Sequence, residues 1–473
     1  MKIAFCTLGC KLNFAESSAI GKALLGQGHV RAKQGEAADV VVLNTCSVTD
    51  AADHKGRQAI HRLRRQHPQA VLIVTGCYAE LKGQEIGAMP EVDYVLGANE
   101  KERVVEIIKG LDEGLRIKDK RLNSINSDTS ETKVISPSSC VLHPSSSKDS
   151  FFPACSWDDR TRCFLKVQDG CNYFCTYCTI PLARGRSRNA SIADIVAQAE
   201  QALRDGAREI VLTGVNIGDF GRSTGERFID LLRALDELGT LPNPPYKGGS
   251  RGNSFDSDTS ETKVISPSSC VLHPSSYPYR LRISSCEPNL LTDEVIDFVA
   301  NSKHFAPHFH IPLQSGSNEV LKIMHRHYDR ELFAERVAHI RERMPNAFIG
   351  VDCMVGVRGE TEERWEDYLT FVKQLDVSQL HVFTYSERAN TRMLEMDLYV
   401  VPKKERERRS KMLHAVSAEK LQAFYAKHQG EEATVLWEGK KDNGMMAGFT
   451  ENYIKVHAPY DKAKVNTFEV VRI

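Results

Sequence analysis

The chain has 473 residues, 41% of them hydrophobic and 26% charged, and its 62 basic side chains match 62 acidic ones. This length suggests about three domains rather than one core. No apolar run approaches the roughly 20 residues of a membrane helix, and the N-terminus lacks a secretory pattern, so we expect a cytoplasmic protein without a membrane partner. Zero net charge argues against a strongly basic nucleic-acid binder but does not exclude a locally basic face. Nothing in the sequence suggests an oligomer, so we expect a monomer.

The first third of the chain alternates between strand and helix patterns. Short runs rich in β-branched residues predict buried parallel strands at Lys2–Leu8, Asp39–Asn44 and Ala70–Thr75. Helical periodicity lies between them at Ala15–Gln27 and Ala51–Gln66. We therefore predict an open α/β domain of the flavodoxin or Rossmann type over residues 1–122.

Thirteen cysteines are many for a cytoplasmic chain, where disulfides seldom persist and clustered cysteines point to metal or catalysis. Cys10, Cys46 and Cys77 each follow one of the three strands within a few residues. The carboxyl ends of parallel strands share one edge, so these thiols should converge there, beside helix N-termini that favour anionic ligands. They predict an iron–sulfur site. The alternative is three separate buried cysteines, the role we expect for Cys6.

A 20-residue segment occurs twice without a single change, at Ser127–Ser146 and Ser257–Ser276. Both copies are rich in Ser, Thr and Pro, and such a composition buries too little apolar area to offset the entropy of ordering. We assign inserts to residues 123–156 and to about residues 243–277, expect loosely ordered loops, and give Cys140 and Cys270 no role. A tandem binding element is the alternative.

The strand–helix alternation resumes after the first insert and continues for six units. This pattern predicts a partial or complete parallel (β/α) barrel over residues 157–400. The predicted strands are Cys163–Val167, Glu209–Thr213, Tyr279–Ile283, His308–Pro312, Ala347–Cys353 and Gln379–Tyr385. The predicted helices include Ser191–Gly206, Thr292–Asn301, Arg330–Met344 and Thr361–Leu375.

A tight cysteine run follows the first of these barrel strands. Cys171, Cys175 and Cys178 have C-x3-C-x2-C spacing. Three thiolates on one loop hold three irons of a 4Fe–4S cluster and leave the fourth iron free for a substrate or cofactor. A structural zinc site, the alternative, normally recruits four ligands in paired C-x2-C spacing. The position after a barrel strand also favours an active site.

The end of the chain has a different pattern. A charged helical stretch of about Lys403–His428 (residues 401–428) connects to short alternating strands. The predicted strands, at Ala433–Trp437, Asn452–His457 and Thr467–Ile473, suggest a small antiparallel barrel related to OB-folds over residues 429–473.

Several motifs together resemble the radical S-adenosylmethionine (SAM) methylthiotransferases, and most closely those that act on N6-threonylcarbamoyladenosine in tRNA. The motifs are TLGCKLN, NTCSVT, GCYAE, the C-x3-C-x2-C run, LTGVNIGDFG, HIPLQSGS and GFTENYIKV. The resemblance implies a methylthiotransferase N-terminal domain, a radical SAM barrel and a C-terminal TRAM domain that binds RNA. It also implies one 4Fe–4S cluster on each cysteine set.

The superfamily resemblance assigns SAM contacts to particular positions. The aromatic Tyr177 stands where adenine packs in that superfamily. The expected contacts at later strand ends are Gly214, Asn216, Gln314 and Gly356. Each of these turns alone would be more simply explained as structural.

The resemblance implies conversion of threonylcarbamoyladenosine in the tRNA anticodon stem-loop to its 2-methylthio form, with two SAM molecules. One would methylate a sulfur at the Cys10/Cys46/Cys77 cluster. The other would be cleaved to a 5′-deoxyadenosyl radical that takes the C2 hydrogen, with electrons from a donor such as flavodoxin or ferredoxin. The sulfur donor is unknown.

RNA contacts are expected at two places. Arg184, Arg186 and Arg188 would hold a carboxylate or phosphates, the alternative being ordinary surface arginines. In the C-terminal domain Phe449 and Tyr453 would stack on bases and Lys455 would bind phosphate, although both rings could equally be core and core is favoured for one of them. Rival functions are methylthiolation of isopentenyladenosine or of a ribosomal-protein aspartate, and a non-catalytic iron–sulfur scaffold or electron carrier.

Overall fold

The computed structural model describes residues 1–33, 35–114, 151–156, 161–238 and 279–473. The two identical Ser-rich segments, with Cys140 and Cys270, lie outside the described residues. Three structured parts follow one another along the chain: an open α/β sheet, an arc of six strands with helices, and a small antiparallel sheet. None of the described helices is long and apolar enough to cross a membrane.

The N-terminal part is a five-stranded parallel sheet in the order β2-β1-β3-β4-β5. Its central strand β3 is buried along its whole length, as expected for an apolar strand covered on both faces. The strands are β1 (Lys2–Thr7), β2 (Val30–Arg31), β3 (Val40–Thr45), β4 (Val71–Gly76) and β5 (Tyr94–Leu96). The helices are α1 (Lys11–Gly26), α2 (Asp50–Gln66), α3 (Cys77–Leu81), α4 (Gly83–Gly87) and α5 (Glu102–Asp112).

The second part is an incomplete parallel barrel made of two three-stranded sheets, β6-β7-β8 and β9-β10-β11. Isolated parallel bridges join β8 to β9, so the six strands form one arc. The strands are β6 (Arg162–Lys166), β7 (Glu209–Thr213), β8 (Arg280–Ile283), β9 (His308–Gln314), β10 (Phe348–Val355) and β11 (Gln379–Thr384). The helices are α6 (Ile180–Arg184), α7 (Ile192–Arg204), α8 (Phe228–Asp236), α9 (Asp293–Asn301), α10 (Asn318–Ile323), α11 (Arg330–Arg343) and α12 (Glu362–Gln374).

Alternate residues of the barrel strands face in opposite directions. Leu165, Leu212 and Ile311 belong to the large core between strands and outer helices. Phe164 and Val211 face the other way and pack with Ala15 of α1 in a separate apolar cluster. Helix α1 of the N-terminal part therefore covers the inner side of the arc beside β6 and β7.

The third part is a four-stranded antiparallel sheet in the order β14-β13-β12-β15, reached through the long helix α13 (Lys403–Lys427). Its strands are β12 (Glu432–Trp437), β13 (Met445–Phe449), β14 (Lys455–Pro459) and β15 (Phe468–Arg472). The predicted α/β, barrel and small β architecture is confirmed. The C-terminal strands were less well predicted, because β13 was missed and the strand expected to begin at Asn452 begins at Lys455, after a turn in which Tyr453 has a φ of 65°.

The antiparallel sheet docks on the amino ends of the barrel strands through arginines. Arg280 donates hydrogen bonds to the carbonyl oxygens of Thr434 and Phe449, and Arg282 donates to those of Glu451 and Thr450. Both guanidinium groups also contact Glu209, which accepts from Arg282 at 3.1 Å. Burial alone would raise the pKa of Glu209, but Arg282 and the other arginines lower it.

One covalent link departs from expectation. The structure pairs Cys155 and Cys163 as a disulfide with their Cα atoms 6.5 Å apart, whereas we expected no disulfide. The segment before the barrel lies antiparallel to β6, with the Lys166 amide donating to the Ala154 carbonyl, and this pairing brings the two cysteines together.

The Glu209 cluster generates a stability prediction. Glu209→Gln should lower the free energy of unfolding by about 3–5 kcal/mol, because it leaves buried guanidinium groups without their shared anion. The fall is measured as a shift of the urea unfolding transition. The exposed Glu366→Gln should change stability by less than about 0.5 kcal/mol. Equal transitions for both variants would contradict the assigned role of Glu209.

Candidate active site

Cys10, Cys46 and Cys77 lie at the carboxyl edge of the N-terminal sheet. Cys10 follows β1, Cys46 follows β3 directly, and Cys77 begins α3 directly after β4. In a parallel sheet of this strand order the direction of winding reverses between β1 and β3, and the crevice outside that point is the usual ligand site. The predicted convergence of the three loops agrees with this topology.

Two glycines allow the three loops to approach closely. Gly9 has a φ of +114°, and a Cβ there would lie 2.6 Å from Cys46 Cβ. Gly76 has a φ of +103°, and a Cβ there would lie 2.4 Å from the Thr45 carbonyl oxygen. A side chain at either position would push apart the loops that carry the cysteines.

The three thiols act on one another electrostatically. Burial, together with the neighbouring thiols of Cys77 and Cys10, raises the pKa of Cys46 to about 11. Among the described residues no three His, Cys, Asp or Glu side chains are grouped to hold a single metal ion. An iron–sulfur cluster has a different requirement, because each thiolate binds a separate iron atom. Three thiols at one edge of the sheet fit this requirement.

A network of buried charges lies beside Cys77. Glu16 of α1 forms ion pairs with Lys101 at 2.5 Å, Lys166 at 3.0 Å and Arg184 at 2.9 Å. Burial alone would raise the pKa of the Glu16 carboxyl, but the cations of Arg184, Lys101 and Lys166 hold it well below its usual range. The network joins the N-terminal sheet to the barrel, because Lys166 and Arg184 belong to the second part.

A second buried carboxylate completes this network. Asp169 pairs with Lys166, Arg184 and Arg188 at 2.6, 3.0 and 3.2 Å. Four cations thus share two carboxylates within the described network. Arg184 donates from Nε to Cys77 Sγ at 3.3 Å. Cations beside a sulfur ligand offset its negative charge, so this environment fits an anionic thiolate-bound group.

The buried network contradicts the expectation that Arg184 and Arg188 contact RNA. Arg184 and Arg188 are 1% and 6% exposed, and their partners are internal carboxylates, so neither is available to an RNA phosphate. Only Arg186 of the three is exposed.

The C-x3-C-x2-C loop follows β6 and presents its sulfurs to several donors. The Tyr173 amide donates to Cys171 Sγ at 3.4 Å, and the Ile180 amide donates to Cys178 Sγ at 3.4 Å. Burial raises the pKa of Cys171 to about 11 and that of Cys178 to about 12. Donors aimed at sulfur stabilise the charge of an iron-bound thiolate and tune its cluster.

Arg326 is a residue of this site that the sequence patterns missed. It donates from Nη1 to Cys175 Sγ at 3.1 Å and to the Tyr177 hydroxyl at 3.3 Å, and it pairs with Glu287. The half-buried Tyr177 packs against an apolar cluster that includes Val320. Arg326 follows a helix with no motif of its own, so only the fold brings it to the cysteine loop.

The expected SAM contacts at the second strand end lie beside this loop. Gln168 donates from Nε2 to the carbonyl oxygens of Asp169 and Gly170, and its Oε1 accepts from the Asn216 amide at 2.9 Å. A Cβ on Gly214 would lie 2.9 Å from Gln168 Oε1, so that turn has no room for a side chain. The Asn216 side chain is buried, and its amide group has no hydrogen-bond partner among the described residues. Such an orphaned amide fits a polar ligand.

Gln314 and Gly356, the other two expected SAM contacts, have different surroundings. Gln314 has a φ of 62°, and its buried Oε1 likewise lacks a partner among the described residues. Gly356, in contrast, packs its Cα against α13, where a Cβ would lie 2.3 Å from Arg406 Cγ. Helix packing alone therefore explains that glycine.

Two short helices connect the cysteine sets. Cys77 begins α3, Cys178 lies two residues before α6, and α3 packs against α6. Arg184 at the end of α6 is the residue that reaches Cys77. Both sets thus belong to one junction between the N-terminal sheet and the barrel.

The aromatic residues expected to stack on RNA are engaged within the protein. Phe449 and Tyr453 stack on each other with ring centroids 4.8 Å apart, and the Arg162 guanidinium lies 4.7 Å from the Phe449 ring. Tyr453 also accepts a hydrogen bond from Arg162 at 3.0 Å. They form the joint between sheet and barrel, which corrects the expectation of free stacking surfaces. Lys455 is exposed.

Two family models match the chain. The model described as "Uncharacterized protein family UPF0004" matches residues 2–97, and that of the radical SAM superfamily matches residues 165–372. Among solved structures, the radical SAM methyltransferase TsrM from Kitasatospora setae aligns with a TM-score of 0.51 at 14% identity, over 81% of this chain and 72% of that one. The likeness to TsrM concerns the fold alone.

Curated relatives cover nearly the whole chain. The threonylcarbamoyladenosine tRNA methylthiotransferase MtaB of Bacillus subtilis is 35% identical over 96% of this chain and 89% of its own length. The MtaB protein of Aquifex aeolicus is 32% identical over 96% of both chains. A tRNA-2-methylthio-N(6)-dimethylallyladenosine synthase of Clostridium botulinum is 28% identical over 99% of this chain and 93% of its own.

The barrel, its three-cysteine loop and the superfamily match define a radical SAM enzyme. The curated relatives identify the family within this superfamily, because several MtaB proteins are at least 30% identical to the chain over almost its full length. The chain belongs to the MtaB-type family of tRNA methylthiotransferases. It is a tRNA-modifying transferase that uses iron–sulfur and SAM chemistry.

The buried network generates a pH prediction. Because the folded-state pKa of Glu16 is lowered, its stabilising contribution is full above the unfolded pKa of about 4.3, declines as the pH falls below that value and is lost only when the pH passes the lowered folded-state pKa. Glu16→Gln should therefore destabilise the protein strongly at pH 7 and by about 1 kcal/mol less at pH 3.5, relative to wild type.

Urea unfolding at the two pH values measures this difference. Glu106→Gln, an exposed change on α5, serves as the control and should differ little from wild type at either pH. If the difference in the free energy of unfolding between Glu16→Gln and wild type stays constant or widens at pH 3.5, Glu16 is not ionised in the folded protein.

Proposed function

We propose that the chain converts N6-threonylcarbamoyladenosine in the tRNA anticodon stem-loop to its 2-methylthio derivative, using two 4Fe–4S clusters and two SAM molecules. The observation that carries the proposal is the presence of two separate three-cysteine sets at one domain junction. A radical SAM barrel alone needs only the Cys171/Cys175/Cys178 set. A second set at the ligand-binding edge of another sheet supports a second cluster that delivers sulfur.

The cofactors supply one-electron chemistry that exchanges the unactivated C2 hydrogen of adenine for sulfur. The residues of the chain bind the cofactors and the substrate and orient them. Cys10, Cys46 and Cys77 would hold the N-terminal cluster, and the cations around Arg184 would stabilise it. Arg326 and two backbone amides would donate to the sulfurs of the other cluster.

SAM would lie against the orphaned polar groups beside the barrel cluster. The amide of Asn216 and Oε1 of Gln314 are buried without partners among the described residues, and SAM offers ribose hydroxyls and methionine polar atoms to pair with them. Tyr177 lies beside Cys175 and would contact the adenine. Gly214 allows Gln168 to pack closely against the turn at the same edge.

Transfer RNA would bind across exposed basic groups. Arg186 next to the cysteine loop and Lys455 on β14 are exposed and would contact phosphates. The proposed reductant is a small electron carrier such as flavodoxin or ferredoxin.

Removal of one N-terminal cysteine tests the two-cluster proposal. Cys46→Ala should abolish the methylthio product and lower bound iron by about half, because only one of two equal clusters is lost. Release of 5′-deoxyadenosine from SAM should continue, since the barrel set is intact. Nucleoside mass spectrometry, iron analysis and SAM cleavage by the anaerobically reconstituted enzyme measure the three outcomes.

Cys6→Ala is the matched control, because Cys6 lies on β1 in the same sheet but outside the set. It should keep both iron and product. Full iron in Cys46→Ala would contradict the second cluster. If the wild type cleaves SAM but leaves threonylcarbamoyladenosine unchanged, the substrate assignment is wrong.

A further inference from the structure

Lys11 lies next to Cys10, yet its side chain extends toward the barrel. It begins α1, the helix that covers the inner side of β6 and β7, and it is partly buried. The charges that act most strongly on its ammonium group belong to barrel residues and not to the cysteines: Arg162, Arg282, Glu209 and Asp352.

The inner wall that Lys11 faces can be identified from strand alternation. Asp352 of β10 and His310 of β9 alternate with residues of the outer core, so they point to the inside of the arc. The two form a pair, with His310 Nε2 2.7 Å from Asp352 Oδ1. His381 of β11 lies beside them, with its ring centroid 4.9 Å from that of His310.

The ammonium of Lys11 has no hydrogen bond and no ion pair to any residue that the structure describes. The two nearby carboxylates are already occupied. Glu209 is shared by Arg280 and Arg282, and Asp352 is held by His310. A partly buried ammonium without a counter-ion is costly, and an anion that enters the barrel removes that cost.

We propose that Lys11 is a specificity-determining residue that binds the carboxylate of the threonylcarbamoyl group on the substrate adenine. The inference rests on the proposed function. The threonylcarbamoyl group is attached to the base itself, so its carboxylate enters the barrel with the ring, whereas backbone phosphates stay outside. A dimethylallyl group is neutral and would leave Lys11 without a partner. Lys11 therefore selects the acidic substrate over the apolar one.

Binding of three anticodon stem-loop RNAs to the full-length reconstituted enzyme tests this role. One RNA carries threonylcarbamoyladenosine, the second carries its neutral carboxamide, and the third carries unmodified adenosine. The wild type should bind the acid roughly ten- to a hundredfold more tightly than the carboxamide, the range expected for a charge-assisted hydrogen bond. Fluorescence anisotropy measures the affinities.

Three variants separate charge from structure. Lys11→Met should bind the acid and the carboxamide about equally, while Lys11→Arg should keep most of the preference for the acid. Lys109→Met, an exposed change on α5, should behave as wild type. Iron content and the urea unfolding transition of Lys11→Met, compared with those of the wild type, show that the variant folds and carries its clusters.

The outcomes distinguish this inference from the proposed function. If the wild type forms the methylthio product and prefers the acid, but Lys11→Met keeps that preference, the role of Lys11 is overturned and the proposed function stands. A wild type that neither prefers nor modifies the acid overturns both. If Lys11→Met loses affinity equally for all three RNAs, Lys11 binds phosphate instead and the proposal fails.

Discussion

The ion network centred on Glu16 is the interaction on which the arrangement of the site depends. A carboxylate on the first helix of one sheet is shared by cations from that sheet and from the barrel, at distances between 2.5 and 3.0 Å. Buried charges tolerate little displacement, because loss of one partner leaves the others unpaired in a medium of low dielectric. The network therefore fixes the distance and orientation between the two cysteine sets.

The two cysteine sets also differ in the charged groups that surround their sulfur atoms. Around Cys77 the neighbours are lysine and arginine side chains that share the carboxylates of Glu16 and Asp169. Around the barrel loop the donors are two backbone amides and the single guanidinium of Arg326, which is itself paired with Glu287. The first environment attracts anions strongly, and the second is closer to neutral. Different sulfur chemistry at the two places is consistent with this contrast.

Much of this architecture could be predicted from the sequence, because local pattern and covalent spacing determine it. The strand-end positions of Cys10, Cys46 and Cys77 follow from the apolar runs before them. The residues that escaped prediction, such as Arg326 and Gln168, act through contacts that no local pattern encodes. Arg184 was wrongly expected to contact RNA, because it belongs to a basic run. Its carboxylate partners, Asp169 and Glu16, lie 15 and 168 positions away in the chain, so the local pattern did not reveal them.

The attachment of the C-terminal sheet uses main-chain oxygens as several of its acceptors. Arg280 and Arg282 donate hydrogen bonds to four carbonyl groups of the C-terminal part. Every amino acid carries such a carbonyl, so substitutions on the outer face of the sheet leave these hydrogen bonds intact. The outer surface of the sheet, and with it the nucleic acid that it binds, can therefore change in evolution while the sheet keeps its position on the barrel.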